Sequence, residues 1–141
     1  MSEILLHSES YGEIALDPTI ACLIVRWHGF ANSRNYRFLL NKALELYQLH
    51  SPRFTHLGWL NDTRHFGAML SVDQQWANTD WNPRAYAAGV RQMNFLSPTN
   101  VFGQIAVQQY TLNTAKRQEY RLEVREHQSL EEACHSLRTH L

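Results

Sequence analysis

Apolar residues recur at two periods along this chain, and the switches between them set the order of elements. Residues 20–27 are apolar almost throughout, the pattern of a strand covered on both faces. Ahead of them, residues 11–16 place Ile14 and Leu16 on one face and Glu13 on the other, and residues 4–6 form a short strand candidate. Asp17, Pro18 and Thr19 supply the turn that folds the two longer runs into an antiparallel hairpin, and Gly29 ends the second. The period then becomes helical. Across residues 33–49, Tyr36, Leu39, Leu40, Ala43, Leu46 and Tyr47 share a face, with Arg37, Asn41, Lys42, Glu45 and Gln48 largely elsewhere. Ser51 and Pro52 close this helix, and residues 54–60 return to a strand pattern. Because a helix intervenes, that strand should run parallel to residues 20–27 through a right-handed crossover.

The second half repeats the scheme. Ser71 and Gln74 fit a capping box, which predicts a helix start. Trp76 and Trp81 follow, and Pro83 is better placed opening a new helical turn than inside one, so the helix should kink or restart near Asn82. Gly89 supplies a stop, and residues 92–96 form a strand. Ser97 and Pro98 read as N-cap and first helical residue of a helix whose apolar side is Val101, Phe102, Ile105 and Leu112, with Phe102 and Ile105 expected in the core. Tyr120, Leu122 and Val124 alternate with Arg121, Glu123 and Arg125, as in a strand with one wet face. Ser129 and Glu132 form a second capping box, opening a helix with Leu130, Ala133, Cys134, Leu137 and Leu141 on one side. The order is ββαβαβαβα: an α/β layer fold with a mainly parallel central sheet and one antiparallel pair at its start, in a single domain spanning residues 1–141.

Composition narrows the function classes. Thirteen basic residues cancel thirteen acidic ones and are scattered, so the footprint of a nucleic-acid binder is absent. A membrane-surface role lacks support for the same reason. The longest apolar run, residues 20–25, is too short to cross a bilayer, and the amino terminus has no basic segment leading into a long apolar one. A cytoplasmic protein is expected. Cys22 and Cys134 read as small core residues in a reducing compartment. The eight histidines show neither H-x-H nor H-E-x-x-H spacing, so no metal site and no cofactor are expected; the expected consequence of so many imidazoles is pH sensitivity.

The stretch from Leu57 to Arg84 concentrates the candidate chemistry. Strand-like residues give way at Asn61, Asp62, Thr63 and Arg64 to polar ones, and the carboxyl end of a strand is where ligand crevices form in open α/β sheets. Asp62, Arg64, Trp76, Trp81 and Arg84, with the Gln104 amide, are the candidate binding residues: indoles supply apolar area, and a guanidinium forks onto a carboxylate or stacks on a ring. The competing reading is structural. In it the two tryptophans fill space between helix and sheet, and Asp62 forms an internal ion pair with Arg64 or Arg84. Function divides in the same way. A non-enzymatic module binding a protein partner or a small apolar ligand leads. The alternative is an enzyme with Asp62 and His65 as acid-base groups, although no nucleophile elbow, phosphate-cradling loop or two-histidine helix completes a catalytic set.

Three motifs carry a family resemblance: W-L-N-D-T-R from Trp59, W-x4-W-x-P-R-A from Trp76 with Ala88 and Gly89 after it, and V-F-G-Q-I-A-V-Q-Q from Val101. With the element order they make the chain resemble the STAS superfamily, which includes anti-sigma-factor antagonists and the carboxyl-terminal domains of sulfate transporters. More narrowly, it is similar to small stand-alone bacterial proteins that carry the STAS/SEC14 name. The resemblance covers nearly the whole chain and implies a STAS-like (SpoIIAA-like) layered fold, with homodimerisation as a further expectation and lipid binding as an analogy drawn from the SEC14 name. Antagonist-type members place an Asp-Ser phosphoacceptor pair after the third main strand. Here residues 65–70 read His-Phe-Gly-Ala-Met-Leu, so a serine phosphoswitch of that kind is not expected.

Overall fold

A computed structural model describes residues 2–138. Six strands form one sheet in the order of the chain: β1 (Ile4–Glu9), β2 (Gly12–Asp17), β3 (Cys22–Trp27), β4 (Gly58–Asp62), β5 (Gln92–Leu96) and β6 (Glu123–His127). The first three are antiparallel, and β3 through β6 are parallel. The α/β class and mainly parallel sheet agree with the sequence pattern. The single antiparallel pair does not, because residues 4–9 form a full edge strand and add a second pair.

Parallel neighbours met in sequence order require every crossover to step the same way, and right-handed crossovers that do so leave their helices on one face. That face carries α1 (Ser33–His50), the run α2 (Ser71–Trp76), π turn (Ala77–Trp81) and α3 (Asn82–Ala87), and α4 (Val101–Ala115). The larger core lies beneath them, with Leu23, Val25, Trp59, Met93 and Phe95 rising from the sheet. Helix α5 (Leu130–Arg138) covers the other face, where Ala133, Cys134 and Leu137 meet Cys22, Ile24, Leu60 and Leu96. Both cysteines are buried and free. Leu141 lies outside the described residues.

Several boundaries move, each for a local reason. Strand β4 starts at Gly58 and runs on through Asn61 and Asp62, so the polar residues expected to leave the sheet are its buried end. Backbone pairing to Val25, Arg26, Phe95 and Leu96 on both sides outweighs their low strand preference. Strand β6 starts at Glu123, and Tyr120 and Leu122 are buried ahead of it. Ser71 is the first helical residue of α2 and makes no cap hydrogen bond; the Gln74 amide crosses instead to the Ala106 carbonyl at 2.9 Å. Asn100, not Ser97, caps α4, accepting from the Gly103 N–H at 2.8 Å. The carboxyl-terminal box is formed as expected in one half, with the Glu132 N–H donating to Ser129 Oγ at 3.1 Å.

Helix α4 is turned over relative to its expected orientation. Gly103, Ala106, Val107, Tyr110 and Thr114 face inward, and Val101, Phe102, Ile105 and Leu112 face out. Close approach decides this. A Cβ on Gly103 would stand 2.5 Å from the Phe66 carbonyl oxygen, so the helix can settle only on its small-residue side.

The restart expected near Asn82 takes the form of the π turn. Pro83 has no N–H to continue an α ladder, and the Asn82 N–H reaches back to the Ala77 carbonyl five residues earlier. This widening sets Asn82, fully buried, among polar partners. Tyr110 donates to Asn82 Oδ1 at 2.7 Å, while Asn82 Nδ2 donates to Tyr120 Oη at 2.9 Å and Tyr120 donates in turn to Asn78 Oδ1 at 2.7 Å. Asn82→Ala strands a buried tyrosine hydroxyl and is expected to lower stability by roughly 2–4 kcal/mol. Urea unfolding would register this as a lower midpoint at unchanged slope.

Candidate functional site

Residues alternate between the two faces at the carboxyl end of β4. Trp59 and Asn61 point toward α1 and α4, while Leu60 and Asp62 point to the α5 side, as the two-residue period of a strand requires. Asp62 is 3% exposed and ion-paired. Arg64 folds back onto it, with Nε at 2.9 Å from Oδ1 and Nη2 at 2.7 Å from Oδ2, and Arg26 Nε lies 3.2 Å from Oδ2. Arg26 also forks onto Glu3 at 2.5 and 2.6 Å and approaches Glu13 at 3.5 Å. Burial by itself would push the Asp62 carboxyl up, but the hydrogen bonds and charge of Arg64, helped by the charge of Arg26, hold it below the usual carboxylate value. The Arg26 guanidinium is raised well above its ordinary value, chiefly by its hydrogen bond to Glu3. This cluster ties the amino-terminal segment to β2, β3 and β4. Both carboxylate oxygens of Asp62 are engaged by arginine, and His65 is exposed.

A cavity of about 40 Å³ lies on the opposite face, between the carboxyl ends of β3 to β5 and the helix layer. Trp27, Tyr36, Phe66, Trp81, Phe95 and Tyr110 form most of its wall, with Met69 and Met93 between them. Trp27 stacks on Tyr36 with centroids 5.3 Å apart, and Phe66 meets Trp27 edge-on at 5.4 Å. The polar side chains in the wall are few. Thr63 donates to the Leu96 carbonyl, whereas Asn61 accepts from Trp59 Nε1 at 3.1 Å and leaves its own Nδ2 without a partner. Asn61 is 3% exposed, so an unpaired amide donor lies buried in the wall of this aromatic cavity.

Residues 63–70 join β4 to α2 without helix or strand and contribute Phe66 and Met69 to the cavity wall. They are pinned to the approach of α4: Thr99 donates to the Arg64 carbonyl through both N–H (3.2 Å) and Oγ1 (2.9 Å), and Asn100 Nδ2 donates to the Phe66 carbonyl at 2.8 Å. Met69 and Ala106 line both this cavity and a groove on the outer surface, which makes Met69 the thin part of the wall.

Of the candidate residues, only Trp81 reaches the cavity. Its ring is 1% exposed, donates to the Leu40 carbonyl at 3.0 Å and meets Trp59 edge-on at 5.2 Å, so it is core and wall at once. Trp76 lies at the α1–α2 contact, with the Arg37 guanidinium 5.2 Å from its ring centroid and Arg37 Nε held by Asp73 Oδ1 at 3.2 Å. Arg84 is on the surface, paired with Asp80 at 2.8 Å and Asn41 at 2.9 Å. Gln104 bonds the Pro98 carbonyl at 3.2 Å at the start of α4. Asp62 and Arg64 are across the sheet from Trp81. The six therefore do not share one recess, and Asp62 pairs with Arg64 and Arg26 rather than with Arg84.

The residues that do converge were visible in part: Trp59 and Asn61 two apart on a strand share a face. Phe66, Met69 and Tyr110 carried no such signal, since a loop and a reoriented helix deliver them. Comparison with family models, with curated proteins and with solved structures found no match to this chain. Among the described residues, no helix is long and apolar enough to cross a membrane, and no three metal-ligating side chains gather as a metal site would require.

The Asp62 cluster makes stability pH-dependent in acid. Because the folded-state value lies below the 3.8 of the free carboxyl, the unfolded chain takes up the proton first. The cluster's contribution is complete above that pH and disappears as pH falls through the depressed value. Asp62→Asn should be less stable than the parent at neutral pH and show a flatter loss of stability below about pH 4 in urea titrations.

Proposed function

We propose that this chain is a non-enzymatic binding module of STAS-like type, working in the cytoplasm, that admits a small, largely apolar molecule carrying one hydrogen-bond acceptor. The observation that carries the reading is Asn61 Nδ2, a buried donor with no partner on a residue that lines an aromatic cavity. Leaving such a donor unpaired costs roughly 1–3 kcal/mol, and a ligand carbonyl or ether oxygen would recover it. Few polar groups in an apolar wall are the usual composition of a small-molecule site. The STAS resemblance agrees with this, since it brings a layered sheet-and-helix frame and no catalytic motif.

At about 40 Å³ the cavity has room only for a few water-sized groups. A ring-sized ligand therefore enters by displacing Met69 and Phe66. Both sit on the irregular segment, and Met69, unbranched and half-buried, repacks at little cost. The bound molecule would lie against Trp81 and Tyr110 with its oxygen at Asn61.

Acetophenone and ethylbenzene provide the test, being alike in shape but differing in the carbonyl. In ¹H–¹⁵N spectra both should perturb residues around the cavity, with acetophenone binding roughly tenfold more tightly, the value of one recovered hydrogen bond. Asn61→Leu should erase that preference while retaining ethylbenzene, and Met69→Ala should tighten both. Absence of cavity perturbation by either probe, in the parent and in Met69→Ala, would refute the reading.

A further inference from the structure

Helix α4 carries no charged residue over its fifteen positions. By comparison α1, with eighteen, carries Arg34, Arg37, Lys42 and Glu45. On the outer side of α4, Val101, Phe102, Ile105 and Leu112 are 59%, 64%, 57% and 51% exposed. Beside it runs a groove of about 680 Å³ against α2 and the π turn, and no residue lining that groove is charged. Leu70 and Val72, on either side of the groove residue Ser71 in the chain, are 48% and 53% exposed. A helix with apolar residues on both sides is ordinarily covered on both.

Amides occupy the positions between the apolar side chains: Gln74, Gln75, Asn78, Gln109 and Asn113 line the groove. Gln74 carries an independent signal. It is 7% exposed, its Nε2 donates to the Ala106 carbonyl, and its Oε1 accepts from nothing. This acceptor is shielded from solvent, so pairing it requires the Gln74 side chain to shift as the groove is covered.

We infer that the α4 face is the contact between two copies of this chain, packed about a two-fold axis with the outer side of each α4 against the other's groove. Charge selects the occupant. A charged partner would bury unpaired charge here, and nucleic acid or an anionic membrane needs cations that the face lacks. A second copy brings a surface equally free of charge. Its amides are donors and acceptors together, so the same side chain serves both halves of a self-complementary interface. A standard interface takes ~800 Å² and about 20–30 residues from each partner, and the exposed apolar side chains of α4 with the amides beside them would form its centre. The inference concerns the outer side of α4 and does not rest on ligand binding in the inner cavity.

Sedimentation velocity across a concentration series tests it, with circular dichroism to verify that each variant is folded. The parent should sediment as a dimer. Ile105→Glu places like charges near the axis and should weaken the dimer by about 100-fold or more. An equimolar mixture of Ile105→Glu and Ile105→Lys should recover dimer, because the introduced charges then oppose each other. Leu49→Glu, 68% exposed on α1, should dimerise like the parent. A parent that stays monomeric at every concentration overturns the inference, whether or not it sediments with neutral phosphatidylcholine vesicles. So does an Ile105→Glu dimer of parental affinity. If Ile105→Glu fails to fold, Phe102→Ser takes its place with the same expected loss.

Discussion

The two-residue period of a strand is the constraint on which the arrangement turns. At the end of β4 it sends Trp59 and Asn61 to one face and Leu60 and Asp62 to the other. Neighbouring residues in the chain thus serve unrelated purposes: Asp62 pairs with two arginines, of which Arg26 also holds Glu3, and Asn61 lines an aromatic cavity. A sheet whose parallel strands follow chain order reinforces the separation, because three connecting segments crowd one face and, among the described residues, α5 alone covers the other.

That crowded face has to be packed with very different side chains. Where bulk is available, aromatic rings fill it, and Trp59, Trp81 and Tyr47 meet at centroid distances of 5.2 to 5.7 Å. Where the backbone comes close, small residues are required, as at Gly103 beneath the Phe66 carbonyl. Polar atoms trapped between layers are then paired over long sequence separations. Asn82 holds Tyr110 and Tyr120, and Ser33 and Arg37 hold Asp73. Such networks are costly when incomplete, and so they fix one packing of the helices.

The seating of α4 follows from the same demand. Its glycine and alanine side goes inward because only that side fits, and its larger apolar residues are left facing out. Hydrophobicity alone favours the opposite orientation. Steric closeness at Gly103 and the reach of Tyr110 to Asn82 outweigh it, since atomic overlap costs more than the exposure of a few aliphatic groups.

The sequence by itself determined the α/β class, the positions of most elements, the break at Asn82 and Pro83, and the burial of residues 20–27 apart from the half-buried Arg26. These features depend on local periodicity and backbone chemistry, which are written in adjacent residues. The tertiary structure alone decided which side of α4 is inside, that Asp62 and Trp81 lie on opposite faces, and that Phe66, Met69 and Tyr110 meet Asn61. Each depends on contacts between segments thirty or more residues apart in the chain, or on a helix choosing between two apolar sides. Steric fit between layers makes that choice, and no local pattern encodes it.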